Sequence, residues 1–98
     1  MRETVFTIQS EDGLHARPAG LIANIASRFQ SQVEIISRGQ TKNAKSVLSI
    51  MSLGLKKSDN VTLRATGPDA EQATQALLKL VDCNFHAEGA AAIISAIK

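Results

Sequence analysis

Apolar residues change their spacing several times along this chain, and each change marks a new element. In TVFTIQ, residues Thr4 to Gln9, they alternate with polar ones, so Phe6 and Ile8 fall on one face of a strand and Val5 and Thr7 on the other. The turn Glu11-Asp12-Gly13 closes that strand. From Ala16 to Phe29 the spacing becomes helical. Ile22, Ile25 and Phe29 form a stripe with Leu21 and Ala26 at its margins, and Pro18 is tolerated because it lies in the first turn. QVEIIS, Gln32 to Ser37, returns to strand spacing with Val33 and Ile35 inward. Arg38-Gly39 then turns the chain into a short polar strand around Gln40 to Asn43, which makes a hairpin.

Ser46 is placed to cap a second helix of two turns, Val47 to Leu53, which Gly54 stops; a serine oxygen accepts an orphan amide bond and glycine tolerates the left-handed residue. After the polar turn Lys56-Lys57-Ser58-Asp59, Val61, Leu63 and Ala65 alternate with Thr62, Arg64 and Thr66 as a half-buried strand ended by Gly67-Pro68. Asp69 with Gln72 three residues later reads as a capping box for a third helix. Its stripe is Ala73, Leu77, Leu80 and Val81, and it runs to about Cys83. Beyond Asn84 the alanine-rich segment Phe85 to Lys98 reads as an appended helix, or as a tail that packs on a neighbour.

The order β-α-β-β-α-β-α predicts an α+β fold: an open-faced two-layer sandwich in which helices cover one face of a four-stranded antiparallel sheet. With 98 residues the chain has material for one modest core and not for two. Hydrophobic residues at 44% and charged residues at 20% exclude disorder. The formal charge of +2 is a weak signal for nucleic acid, and three Phe with no Trp or Tyr leave little surface on which bases stack. Cys83 has no second cysteine to pair with, and with two histidines it cannot complete a four-ligand zinc set, so no metal or cofactor is expected and a reducing cytoplasm fits. The N-terminus lacks the apolar core of a secretory signal. No stretch approaches the ~20 apolar residues of a membrane span, so no membrane insertion is expected.

Chemistry concentrates in Gly13-Leu14-His15-Ala16-Arg17-Pro18-Ala19-Gly20. An imidazole stands at the mouth of a helix with a guanidinium two residues on. Helix N-termini offer unpaired amides and about half a positive charge, which suits a dianionic phosphoryl group. The nearest donors are the amides of Ala16 and Arg17, because Pro18 has none. A neutral imidazole carries a nitrogen lone pair able to attack phosphorus, and the phosphoramidate it forms is reactive enough to pass the group on. Arg17 is suited to neutralising the transferring oxygens. Taken alone, a histidine such as His15 is more often a helix cap or a surface residue than a catalytic group.

The octapeptide, together with Ala44-Lys45-Ser46-Val47-Leu48 running on to Met51-Ser52-Leu53-Gly54-Leu55, resembles the HPr family, the histidine phosphocarriers of the phosphoenolpyruvate-dependent sugar phosphotransferase system of bacteria. The resemblance covers Thr4 to about Cys83 without obvious gaps. It implies sheet order 1-4-2-3 and a carrier, not an enzyme. In such a carrier His15 takes a phosphoryl group on the ring nitrogen nearer the backbone from phosphorylated enzyme I and gives it to an EIIA protein or domain. Arg17 matches the family's active-site arginine and Pro18 the proline that opens its first helix. Ser46 matches a position that a dedicated kinase phosphorylates in many members, although as a residue it also reads as a plain N-cap. The family fold would gather Gly20, Val47, Leu48 and Met51 around His15 as a docking patch, while Ile50 and Leu53 read as core. Arg17 and Lys45 add positive charge toward acidic partners.

This chain departs from many members in carrying Asn24, Ser27 and Ser49 where basic residues are frequent. Asp12 reads as a turn former whose carboxylate is engaged by a donor, His86 as a surface residue and Cys83 as a small buried one. Residues 1–85 read as the phosphocarrier domain and 86–98 as an extension. Three activities with a similar element order are disfavoured: an RNA-recognition domain lacks its aromatics here, a metal chaperone its Cys-x-x-Cys, and an acyl-phosphate hydrolase any water-activating group beyond His15 and Arg17. The remaining alternative is a relative within the family, either a regulatory or nitrogen-branch carrier or the HPr-like domain of a fused fructose-type phosphotransferase protein.

Overall fold

The computed structural model describes residues 1–97; Lys98, the end of the expected extension, lies outside the described residues. The elements follow as β1 (Arg2–Thr7), α1 (Ala16–Ala26), β2 (Gln32–Ser37), β3 (Gln40–Asn43), α2 (Val47–Met51), β4 (Asn60–Thr66), α3 (Ala70–Asp82) and α4 (Ala87–Ala96). The sheet is antiparallel in the order β1-β4-β2-β3. Phe6 stands opposite Val61, and Leu63 is flanked by Thr4 and Ile35. This register sends Phe6, Val33, Ile35, Val61, Leu63 and Ala65 to one face, where they are buried with Ile22 and Ile25 of α1 and Leu77 and Leu80 of α3. Each such Val, Leu or Ile contributes roughly 1.5–3 kcal/mol by leaving water. The opposite face keeps Val5 exposed and Arg64 bonded to Glu34.

Several boundaries differ from the sequence expectation for local reasons. Strand β1 starts at Arg2 and its ladder stops at Thr7, although Ile8 remains buried and its amide donates to the Asp59 carbonyl at 3.0 Å. Helix α1 ends at Ala26, three residues short of Phe29, because the Arg28 and Phe29 amides turn to the carbonyls of Ile25 and Ala26, three residues back. Ala26, expected at the margin of the stripe, is fully buried, and Phe29 is only half-buried. Helix α2 ends at Met51 and tightens over Ser52 and Leu53 before Gly54 takes φ +60°. The hairpin turn is built as expected, with Arg38 and Gly39 both at positive φ.

The capping box at Asp69 is not formed. Asp69 is the N-cap of α3, yet its carboxylate makes no bond to that helix and instead accepts the amides of Gln30 and Ser31, at 2.9 and 2.8 Å, and the Ser31 hydroxyl. The Asp69 amide returns a bond to the Ser31 oxygen at 3.2 Å. This clasp ties the loop after α1 to the start of α3. The segment after Asn84 does form a helix, α4, which packs on α3 and reaches α1 of its own chain.

Candidate functional site

The loop that carries His15 is held from below before it reaches the helix. Gly13 adopts φ +70°, and a side chain there would run into the Leu55 carbonyl and meet the Lys56 Cα at 3.0 Å. One residue on, the Leu14 amide donates to that same carbonyl at 3.1 Å while its side chain is buried. Residues 13 and 14 therefore lie on the strand of chain that follows α2, and only glycine fits at the first of them. The Ser10 carbonyl accepts the Gly13 amide and the Ser10 hydroxyl accepts the Asp12 amide, at 3.0 and 3.3 Å. Ser10 is thus the residue that forms the turn. The Asp12 carboxylate, expected to be engaged there, accepts no hydrogen bond from any described residue.

His15 follows as the N-cap of α1, in extended backbone geometry, with its side chain exposed and making no capping bond. Its carbonyl already accepts the Ala19 amide at 3.0 Å, so the helix is closed behind it. The amides of Ala16 and Arg17 have no backbone acceptor among the described residues, and Pro18 supplies no N–H. There is no acidic residue in the first turn to occupy that positive end. Arg17 is exposed and forms no ion pair with any described residue, whereas Pro18 and Ala19 are buried and anchor the turn. The result is an accessible imidazole beside two free amides and a free guanidinium, held on a braced loop. That arrangement is chemically suited to receiving a dianion beside a ring nitrogen.

Helix α2 packs against α1, and its C-terminal end leads into the Leu55 carbonyl that holds residues 13 and 14. Leu48 is 81% exposed and Met51 41%, whereas Ile50 is fully buried and Leu53 nearly so. Val47 and Gly20 are half-buried. Ser46 caps α2 by accepting the Ser49 amide at 3.2 Å. Lys45, expected to add positive charge toward acidic partners, is half-buried. Its ammonium donates to the Phe29 carbonyl at 2.9 Å, beyond the far end of α1 from His15.

Two supports went unread in the sequence. Arg38 donates through Nη2 to the carbonyls of Leu53 and Gly54 and so closes the C-terminal end of α2. The Leu55 carbonyl braces the His15 loop. The first had one local signal, a long basic side chain at a positive-φ turn position. The second had the obligate glycine at position 13, which names a close approach but not what approaches.

Comparison with known proteins gives a consistent answer. A family described as "PTS HPr component phosphorylation site" matches residues 2–82. The phosphocarrier protein HPr of Mycoplasma pneumoniae is 36% identical over 83 residues, covering 84% of this chain and 94% of the relative. Among solved structures, a histidine-containing phosphocarrier protein of Mycoplasma superposes with a TM-score of 0.80 at 36% identity, covering 84% of this chain and 94% of that one. An HPr of Thermoanaerobacter tengcongensis does so with 0.82 at 42% identity, covering 87% and 96%.

Proposed function

The chain belongs to the HPr family, the phosphocarrier proteins of the phosphotransferase system, and on that premise we propose that His15 is its phosphoryl acceptor. The observation that carries this reading is the N-cap position of His15, exposed and unbonded, next to the free amides of Ala16 and Arg17. The lone pair of the ring nitrogen nearer the backbone forms the new N–P bond as the bond from phosphorus to the donor breaks. The Ala16 and Arg17 amides and the Arg17 guanidinium receive the charge on the transferred oxygens. In the return step the same bond breaks toward the next acceptor. The phosphohistidine is a transient store, so the chain acts as substrate of its partners rather than as a catalyst.

Donor and acceptor are phosphorylated enzyme I and an EIIA protein or domain, met in the cytoplasm. Both dock on the apolar surface of Leu48 and Met51 with Val47 and Gly20 at its edge; a methionine adapts to more than one partner. Lys45 adds its charge from the flank while its ammonium holds Phe29. A phosphoryl group placed on Ser46 by a kinase would add about two negative charges at the first turn of α2, beside that surface, and slow transfer by repelling acidic partners. Ser46→Asp that leaves transfer from enzyme I unchanged would count against this regulatory role.

The direct test incubates the protein with enzyme I, Mg²⁺ and phosphoenolpyruvate. An acid-labile, alkali-stable phosphate is expected on the wild type and absent from His15→Ala. Label retained by the variant overturns the assignment.

A further inference from the structure

Helix α4 lies beyond residues 2–82, the part matched to the family. Its first turns sit close on the end of α3: a side chain at Gly89 would meet the Cys83 sulfur at 2.6 Å. Further along, α4 faces α3 and the end of α1 across a cavity of about 420 Å³, a size typical of small-molecule sites. Its apolar walls are Phe29, Ala76, Ile93 and Ile97, and its rim carries Arg28 and Lys79.

Neither cation has an ion-pair partner among the described residues. Arg28 spends its Nε on the Asn24 side-chain oxygen at 3.0 Å. Among the described residues the one carboxylate lining the cavity, Asp69, is committed to the amides of Gln30 and Ser31 and the Ser31 hydroxyl. The side-chain amides of Gln72 and Gln75 complete the polar rim without adding charge. An apolar cleft lined by two cations with no ion-pair partner among the described residues favours an anionic occupant with an apolar body.

We propose that this groove binds a small organic anion: a short apolar body seated on Phe29, Ile93 and Ile97, with a single carboxylate or phosphate-ester head group between Arg28 and Lys79. The site is separate from the phosphoryl-acceptor site, since His15 precedes and Arg28 follows an 11-residue helix that spans roughly 16 Å. Carrier function and anion binding therefore test independently.

The experiment is a ¹⁵N-correlation titration of the full chain with hexanoate, hexyl phosphate and, as the uncharged control, 1-hexanol. Saturable shifts at Phe29, Ala76 and Ile93 are expected with at least one anion, and binding of 1-hexanol about tenfold weaker, the size of one charge-assisted contact. A response to both anions assigns the site to the shared charge, and a response to hexyl phosphate alone assigns it to phosphate esters. In the double variant Arg28→Gln, Lys79→Gln, whose positions are exposed and leave the core intact, anion affinity falls about tenfold or more while that of 1-hexanol is unchanged. No saturable response, equal affinity for 1-hexanol, undiminished anion binding by the double variant, or shifts confined to Ala16 and Arg17 each overturn the proposal.

Discussion

Beyond one end of α1 the chain enters Gln30 and Ser31, whose amides are turned to a carboxylate from another element and close on it; at the other end the amides of Ala16 and Arg17 find no acceptor among the described residues. Both places use the same physical device, backbone N–H groups turned toward a site for negative charge. At the Ser31 clasp the charge is supplied by Asp69 from within the fold, and the result is a fixed joint between α1 and α3. At the mouth of α1 there is no acidic residue in the first turn and no capping bond from His15. A carrier has to leave that charge to be supplied by its cargo. What separates the structural joint from the proposed transfer site is whether the anion is a permanent side chain of the fold or arrives and leaves as cargo, and the predictions attack one side of that contrast or the other.

The largest effect is expected at the open end. His15→Ala removes the proposed nucleophile, so acceptance of phosphate from phosphoenolpyruvate through enzyme I is expected to be lost completely, while the thermal midpoint moves by a degree or two at most because the side chain is exposed and makes no capping bond. A large loss of stability would mean that the imidazole is a joint after all. Next comes the brace. Gly13→Ala forces a side chain onto the Leu55 carbonyl at φ +70°, at a cost of about 2–3 kcal/mol. A drop in midpoint of roughly 10–20 °C, measured by calorimetry, is expected. Phosphate acceptance should fall with it, measured well below the new midpoint, although His15 and Arg17 are intact.

Much of this contrast was legible in advance, and the part that was not has one cause. Strand and helix periods, the Arg38-Gly39 turn, the Ser46 cap and the Gly54 stop are written in neighbouring residues, and the fold reproduces them. His15 stood out for the same reason, as an imidazole at a helix start inside a motif shared with a known family. Asp69 misled because a D-x-x-Q pattern reads identically whether the carboxylate bonds its own helix or crosses to Ser31, 38 residues away. The partners of Lys45 and Asp12 were hidden in the same way: the Lys45 ammonium holds the Phe29 carbonyl, which nothing near it in sequence announces, and the Asp12 carboxylate, expected to be engaged, has no donor among the described residues. Charged side chains choose partners through space, and local sequence records only that they are charged.

The clasp itself is the smaller lever. Asp69→Ala leaves the amides of Gln30 and Ser31 and the buried Ser31 hydroxyl without their acceptor, which costs about 1–2 kcal/mol after allowing for partial solvent access. A midpoint lowered by roughly 5–15 °C is expected, with phosphate acceptance at His15 retained below it. If acceptance were lost in the folded variant, the two ends of α1 would be coupled and the contrast would fail.

The smallest and most diagnostic effect is on pH dependence. The Ser31 hydroxyl, opposed by partial burial and joined by the Gln30 and Ser31 amides, holds the Asp69 carboxyl below its ordinary value of 3.8. In the folded chain this group releases its proton more readily than in the unfolded one. Between the two values the unfolded chain therefore binds more protons, so stability rises with pH there. The contribution is fully present above about pH 5 and is lost as pH falls through and below 3.8 toward the folded-state value. Asp69→Asn keeps an acceptor but has no proton to take up, so its midpoint should decline less steeply than wild type between about pH 5 and pH 3. His15→Ala, with the clasp untouched, should follow the wild-type slope. Parallel slopes for wild type and Asp69→Asn would mean that the carboxylate is not held by Ser31 in solution, and the closed end of the comparison would then be as open as the other.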